Sequence, residues 1–297
     1  MNLRSETSMK KKLRPINGLS IDVEDYYQVS AFEKKVRFED WGKHESRVFG
    51  NTVRILEILH HHGVKATFFI LGWVAEFFPG VVREIAGAGH EVACHSYKHR
   101  LVYHLTPAEF REDIRRSKGI LEDLTGKHVV GYRAPSYSIV RESLWALDIL
   151  AEEGFLYDSS IFPIHHDRYG LPDYPRHPYT IKRNGHSMME FPPSTLRLGG
   201  VNIPMAGGGY FRLFPYRFIR WGIERLNLLE GEPAIIYLHP WEIDVNQPRL
   251  NGGILSNFRH YLNLGRTERN FRRLLNDFSF VPIREIQING NRIVEKD

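Results

Sequence analysis

Cysteine is almost missing from this chain, with Cys94 the single one in 297 residues. That excludes an internal disulfide framework and fits a reducing compartment. Apolar runs are short, and none approaches the roughly 18 residues that a spanning helix needs, so no transmembrane segment is expected. Residues 1–17 carry charge without an apolar stretch, which argues against a secretory signal there. Basic clusters are scarce as well. Lys and Arg outnumber Asp and Glu by 40 to 35, yet Lys10-Lys11-Lys12 is the one basic run and reads as a solvated tail. No nucleic-acid partner is expected, while the modest positive balance leaves peripheral association with a membrane surface open. Internal repeats, low-complexity tracts and interior linkers are lacking too. The expectation is a soluble cytoplasmic protein, at most docked on the inner face of the membrane, with its oligomeric state undetermined.

What the chain does have is alternation. Residues 16–23 read as a buried strand, 48–62 as an amphipathic helix stopped by Gly63, and 65–71 (KATFFIL) as a second strand. A helix over 77–88 and a short strand over 91–94 follow. Thr106-Pro107-Ala108-Glu109 combines a capping box with Pro at the first helical position, opening a helix to Leu124 that Gly126 ends. Further strands are expected at 129–132, 155–158, 188–191 and 234–238, and helices at 142–153, 215–229 and 257–277. Long irregular loops are expected at 162–179 and 244–255. The pattern is that of an α/β domain with parallel strands, either a barrel or an open sheet.

The densest chemistry is His95-Ser96-Tyr97-Lys98-His99, two imidazoles four residues apart just after a strand. With 15 histidines in the chain, chance alone supplies roughly 0.7 such pairs, so the motif draws its weight from its company. In parallel α/β folds functional side chains gather at the carboxyl ends of strands. Asp22 and Glu24 end the first strand with Asp25 next to them, His95 and His99 follow the third, Arg133 follows the fourth, Asp158 ends the fifth, and His239 follows a late one. One carboxylate and two neutral imidazoles holding a divalent metal, with positions open to water, suit a hydrolytic site. Plainer roles stand beside these. The acids could be a helix N-terminal cluster, Arg133 the ion-pair partner of Asp158, and His239 a loop histidine satisfied by backbone. Asp158-Ser159-Ser160 reads as a turn or cap, His165-His166 as surface loop, and Cys94 as a small buried hydrophobe. Glu190 has no assigned role.

In this order the set resembles the polysaccharide deacetylases of carbohydrate esterase family 4, the NodB-homology proteins, over about residues 19–242. The family's His-[Ser/Thr]-x-x-His metal motif matches 95–99, its Arg-x-Pro motif matches Arg133-Ala134-Pro135, and its late Leu-His motif matches Leu238-His239. The wording Asp-Val-Glu-Asp-Tyr-Tyr at 22–27, Gly-Gly-Gly-Tyr-Phe-Arg at 207–212 and Leu-His-Pro-Trp-Glu at 238–242 is similar to the exosortase-associated exopolysaccharide branch. One departure concerns the first motif, commonly Phe-Asp-Asp-Gly and here Ile21-Asp22-Val23-Glu24-Asp25. Strand alternation puts Asp22 and Glu24 on one face, giving Asp22 as base and Glu24 as ligand, with Asp25 a rival ligand if the strand ends at Val23.

The resemblance implies a distorted (β/α) barrel, with residues 1–16 a flexible tail and 17–297 a single catalytic domain carrying a C-terminal helical extension. It implies metal-dependent hydrolysis of N-acetyl groups on a polysaccharide or a lipid-linked oligosaccharide precursor. Glu24, His95 and His99 would hold the metal, zinc first, with cobalt, nickel or manganese as substitutes. Asp22 would act as base, Arg133 would orient it, and His239 would protonate the leaving amine. A backbone N–H near Tyr26 would help hold the oxyanion. Leu238 and Trp241 would line an acetyl pocket, and Tyr26, Pro135 and Tyr137 would complete the sugar site. Two alternatives remain: a metal-independent hydrolase of a small cyclic amide such as allantoin, and a non-catalytic glycan-binding protein of an export system.

Overall fold

A computed structural model describes residues 15–287 and 292–295. The tail read at 1–16 lies outside them except for its last two residues. The strands are β1 (Asn17–Val23), β2 (Thr67–Ile70), β3 (Glu91–Cys94), β4 (Gly131–Tyr132), β5 (Tyr157–Asp158), β6 (Tyr179–Arg183), β7 (His186–Glu190), β8 (Thr195–Leu198), β9 (Val201–Pro204), β10 (Ile235–Leu238), β11 (Phe280–Val281) and β12 (Ile293–Glu295). One sheet runs β10-β1-β2-β3-β4-β5-β7-β6-β12, with β11 also beside β1. Every neighbouring pair from β10 through to β7 is parallel.

The chain that leaves β7 bends the two ends of this run toward each other. Ser194 N–H donates to the Ile235 carbonyl at 3.2 Å, and Ile235 N–H donates to Ser194 Oγ at 2.7 Å. Farther along, Tyr237 N–H donates to the Ala206 carbonyl at 2.9 Å, and Gly207 makes a parallel bridge with Tyr237. Irregular chain thus takes the place of a regular strand between β7 and β10, and the result is a distorted barrel.

Period-2 alternation sorts the strand residues into two layers. Leu19, Ile21, Val23, Phe68, Ile70, Ile236 and Leu238 join the large apolar cluster shared with the surrounding helices. Their neighbours Phe69, Ala93, Tyr157 and Ile235 form a second cluster with Phe191 and Ile283. The inward residues Ser20 and Asp22 are buried polar groups instead, so the barrel is apolar below and polar at its carboxyl end.

The helices follow local signals. Pro107–Thr125 is capped as the sequence suggests: Glu109 N–H donates to Thr106 Oγ1, and the Glu109 carboxylate accepts from Thr106 N–H at 2.8 Å. Gly126 ends that helix with φ of 65°. The helix expected over 77–88 begins again at Pro79, separate from Gly72–Phe77, because Pro has no N–H to continue a helix and is at home in a first turn. The helix expected over 257–277 is two, Ile254–Tyr261 and Leu264–Asp277. Between them Asn263 adopts φ of 55°, and Arg212 Nη1 donates to the carbonyls of His260 (2.7 Å) and Leu262 (2.9 Å) that a continuous helix would have used. The hairpin β8–β9 and the strand β6 were not among the expected elements.

Gly207 sits where the barrel closes. A Cβ there would lie 1.8 Å from the Tyr237 carbonyl oxygen, whereas one on Gly209 meets nothing within 4 Å. Gly207→Ala is therefore expected to cost about 2–3 kcal/mol or more. Gly209→Ala, in the helix Gly208–Leu213, should be neutral or stabilise by up to about 1 kcal/mol. Urea denaturation of the two variants checks the contrast.

Candidate metal centre and cleft

Arg133 is the floor of the site. Its side chain is wholly buried and stacks over the Phe69 ring at 4.2 Å. Nη1 donates to Asp22 Oδ1 at 2.6 Å and to Ser20 Oγ at 2.7 Å, Nη2 to Ser159 Oγ at 2.7 Å, and Nε to the Ser159 carbonyl at 3.1 Å. The ion-pair partner is Asp22, not the Asp158 that the plainer reading offered. Asp158 instead accepts from Ser160 Oγ (2.5 Å) and Ser160 N–H. Glu190 lies beside it across the β5–β7 register. Burial, and then the neighbouring Asp158, push the Glu190 carboxyl well above the usual carboxylate range. This acid pair braces the barrel behind Arg133 and does not line the cleft.

Three ligand-type atoms converge above this floor. Glu24, His95 and His99 are buried and present donor atoms all within 4.8 Å of one another. His95 Nδ1 lies 2.8 Å from the Arg133 carbonyl, which fixes the tautomer with Nδ1–H donating and leaves Nε2 free as a ligand. Burial lowers the His95 pKa to about 4, so the ring is neutral, as a metal requires. Glu24 Oε1 accepts from Trp241 Nε1–H at 3.2 Å. Its Oε2 is buried without a hydrogen-bond partner, although His99 Nε2 lies 2.8 Å away. Burial would raise the Glu24 pKa, but the histidines, His99 foremost, hold it at about 2. An ionised carboxylate with an unsatisfied oxygen beside two imidazoles fits a divalent cation.

Asp25, the rival ligand, points elsewhere. Its Oδ2 accepts from Ser46 Oγ (2.8 Å), Arg47 N–H (2.9 Å) and Val48 N–H (3.2 Å), which anchors the start of the helix Val48–His61. Its Oδ1 accepts from Tyr26 N–H at 3.0 Å, so an oxyanion-holding N–H near Tyr26 would have to be another than that of Tyr26 itself.

His239 faces the trio from β10. Nε2 lies 3.6 Å from Glu24 Oε1 and 4.0 Å from Asp22 Oδ2, while Nδ1 lies 3.3 Å from Glu242 Oε2. Glu242 is itself held by Arg212 Nε at 2.8 Å. Burial disfavours the imidazolium, but Glu242, Glu24 and Asp22 outweigh it and raise the pKa to about 9. The His239 ring is stacked on Trp241 (5.3 Å, 21°), and Trp241 on His260 (4.1 Å, 13°). Burial, then the charge on Arg212, depresses the His260 pKa to about 3, so this ring stays neutral in the stack.

These groups line a cleft of about 220 Å³. Tyr137 and Trp241 line it, as expected of substrate-contacting residues. Tyr26, Pro135 and Leu238 do not. Tyr26 is buried against Tyr27, Pro135 is buried, and Leu238 points into the helix-side core, one residue out of phase with Tyr237 and His239. Tyr237 takes the lining position instead. Arg212, His260, Glu242 and Tyr237 were missed. The late Leu-His-Pro-Trp-Glu run hinted at Glu242 and the Gly-Gly-Gly-Tyr-Phe-Arg run at Arg212, while nothing local marks Tyr237 or His260. Cys94 is buried beside the site with its thiol pushed up to about 12 by burial, which leaves it unreactive.

The geometry separates the two candidate carboxylates. Glu24→Gln and His99→Ala should each weaken binding of Zn²⁺ at least about tenfold in calorimetric titration. Asp25→Asn should keep the ion and lower thermal stability instead. Loss of the ion in Asp25→Asn alone would reverse the assignment.

Residues 40–152 match the family described as polysaccharide deacetylase, and residues 159–287 match a domain of unknown function, DUF3473. A peptidoglycan deacetylase-like protein of Gibberella zeae is 32% identical over 154 residues, covering 51% of this chain and 45% of that protein. A peptidoglycan-N-acetylglucosamine deacetylase of Bacillus cereus is 39% identical over 98 residues, covering 33% and 36%. The chain thus spans less than half the length of either relative. A crystal structure of a candidate polysaccharide deacetylase from Mycobacterium smegmatis shares the fold with a TM-score of 0.57 at 22% identity, covering 96% of this chain and 97% of the other. Residues 40–152, with the motif residues clustered around them, mark a polysaccharide deacetylase domain of the NodB-homology, carbohydrate esterase family 4 type within this chain, and the barrel agrees with it.

Proposed function

We propose that the protein is a metal-dependent N-deacetylase of an N-acetylated glycan, either a polysaccharide or its lipid-linked precursor. One observation carries the reading. A buried, arginine-held carboxylate, a Glu-His-His trio and a carboxylate-backed histidine meet in one cleft. Hydrolysis of an amide needs a base for water, charge stabilisation and an acid for the amine, and these groups can supply all three.

Glu24, His95 and His99 would hold the ion, with zinc the best match to two imidazoles and one carboxylate. Bound there, a divalent cation would supply Lewis acidity that polarises the acetyl carbonyl and acidifies water. The chain's own residues do the proton work. Arg133 occupies Asp22 Oδ1, so Oδ2 is the oxygen left to accept a proton from the attacking water. Water adds to the carbonyl carbon, and the C–N bond then breaks to release acetate. The departing nitrogen takes a proton from His239 Nε2, whose Nδ1 side is held by Glu242. The closeness of Nε2 to both Asp22 and Glu24 keeps that proton over the reacting centre. Tyr137, Tyr237 and Trp241 give the cleft aromatic faces for a sugar ring.

On this reading the protein works in the cytoplasm at the inner face of the membrane, where a lipid-linked precursor would be within reach. Among the described residues no helix is long and apolar enough to cross a membrane.

Acetate release from N-acetylated oligosaccharides by zinc-loaded protein tests the proposal. Asp22→Asn should lower kcat by about 10²–10⁴-fold. Glu242→Gln, which acts only through His239, should lower kcat about 10–100-fold with KM nearly unchanged, and Glu242→Asp should recover part of it. Full activity in Asp22→Asn would remove the base assigned here. Acetate release from no N-acetylated sugar would reject the deacetylase reading.

A further inference from the structure

A second cavity of about 400 Å³ opens beside the cleft. The two share Ser30, Ser136, Tyr169, Gly209, Tyr237 and Arg259, so a molecule filling one extends into the other. The His166 ring, expected in a surface loop, instead stacks on Tyr169 at 3.9 Å and forms part of this wall.

The lining is mixed: Ser30, Ser136 and four tyrosines bring hydroxyls, and an apolar patch lies beside them. Leu213, Leu255, Leu262 and Phe258 offer aliphatic and aromatic surface with nothing to bond a hydroxyl. The same side continues outward as an uncovered apolar face. Leu213 is 50% exposed, Phe258 57%, Leu255 61% and Ile254 93%, the last three on one side of the helix Ile254–Tyr261. Two cations, Arg168 and Arg259, line the cavity, no acidic residue does, and neither arginine forms an ion pair among the described residues. Both guanidinium groups are exposed, Arg168 also bonding Tyr103, and an anion entering the cavity would meet two positive charges and no negative one, with phosphate the group their fork fits best. An anionic sugar polymer would satisfy the arginines but leave the leucines wet. A plain lipid surface would cover the leucines but has no reason to reach a cavity continuous with the cleft.

We propose that this cavity takes the phosphate and the first isoprene units of a polyprenyl-phosphate or polyprenyl-diphosphate carrier, so that the substrate is a lipid-linked glycan. Arg259 belongs to both cavities. A phosphate held there places the sugar bonded directly to it in the cleft, and that sugar is the one whose acetyl group is removed. The identity of the reaction rests on the deacetylase reading above; the binding of the carrier does not.

Calorimetric titration with farnesyl diphosphate, below its micelle-forming concentration, tests the binding without any acetyl group. Farnesol and inorganic diphosphate serve as half-ligands, and vesicles of anionic phospholipid as the lipid-surface arm. Farnesyl diphosphate should bind at least about tenfold tighter than either half-ligand. Its affinity should fall at least about tenfold in the Arg168→Gln/Arg259→Gln double variant, and again in Phe258→Ser. These side chains are exposed, and unchanged melting curves would exclude misfolding. No binding, or equal binding by the variants, overturns the proposal. So does binding to vesicles without binding to monomeric farnesyl diphosphate, or a dimer that Phe258→Ser dissociates while no ligand binds. Farnesyl diphosphate binding without acetate release would sink the deacetylase reading and leave this one standing. Acetate release from soluble oligosaccharides with no farnesyl diphosphate bound would do the reverse.

Discussion

The buried ion pair between Arg133 and Asp22 is the constraint on which the site depends. A guanidinium removed from water survives only if its donors are satisfied, and here they are spent on four partners at the carboxyl ends of the strands. Ser20 and Asp22 come from β1 and Ser159 follows β5, while the Phe69 face comes from β2. One side chain therefore fixes the relative positions of several strands. Its backbone carbonyl does a second task by holding His95 Nδ1. Removing one partner of such a pair would leave a buried charge uncompensated, at a cost of about 3–5 kcal/mol.

The second half of the chain completes what the first half begins. Arg212 donates to Glu242, and Glu242 faces His239, so a three-member charge relay of alternating sign runs from the helix Gly208–Leu213 into the cleft. The same guanidinium takes the His260 and Leu262 carbonyls. That contact splits the C-terminal helix and brings His260 onto Trp241, whose indole N–H in turn holds Glu24. The matched polysaccharide deacetylase region, residues 40–152, contains His95, His99 and Arg133 but neither Arg212 nor His239. Arg212, His239 and Glu242 all come from residues 159–287, the stretch that matches the domain of unknown function.

Much of this was legible because the signals are local. β-Branched and aromatic runs bounded by glycine marked β1, β2, β3 and β10. Alternation alone put Asp22 and Glu24 on a common face. The limits are equally physical. Whether Glu24 or Asp25 turns inward depends on Ser46, Arg47 and Val48, whose N–H and hydroxyl groups capture Asp25 from more than a strand away. The resemblance implies Leu238 as a cleft residue, but on a strand adjacent residues face opposite ways, and Tyr237 lines the cleft with His239 instead. Arg212 and His260 meet the site only through tertiary packing, with no spacing to announce them. The hairpins β6–β7 and β8–β9 did carry a signal: Asn184-Gly185 and Gly199-Gly200 each stand between strand-like runs, and Leu196, Leu198, Val201 and Ile203 alternate with Arg197 and Asn202.

The account stands on one claim, that Glu24, His95 and His99 hold a single ion on which acetate release depends. Stepwise titration of chelator-treated protein with Zn²⁺, following acetate release at each addition, tests it directly. The stripped protein should release no acetate, and release should rise linearly and end at one zinc per chain. Full release from the stripped protein, or a rise that ignores the one-to-one point, would contradict it.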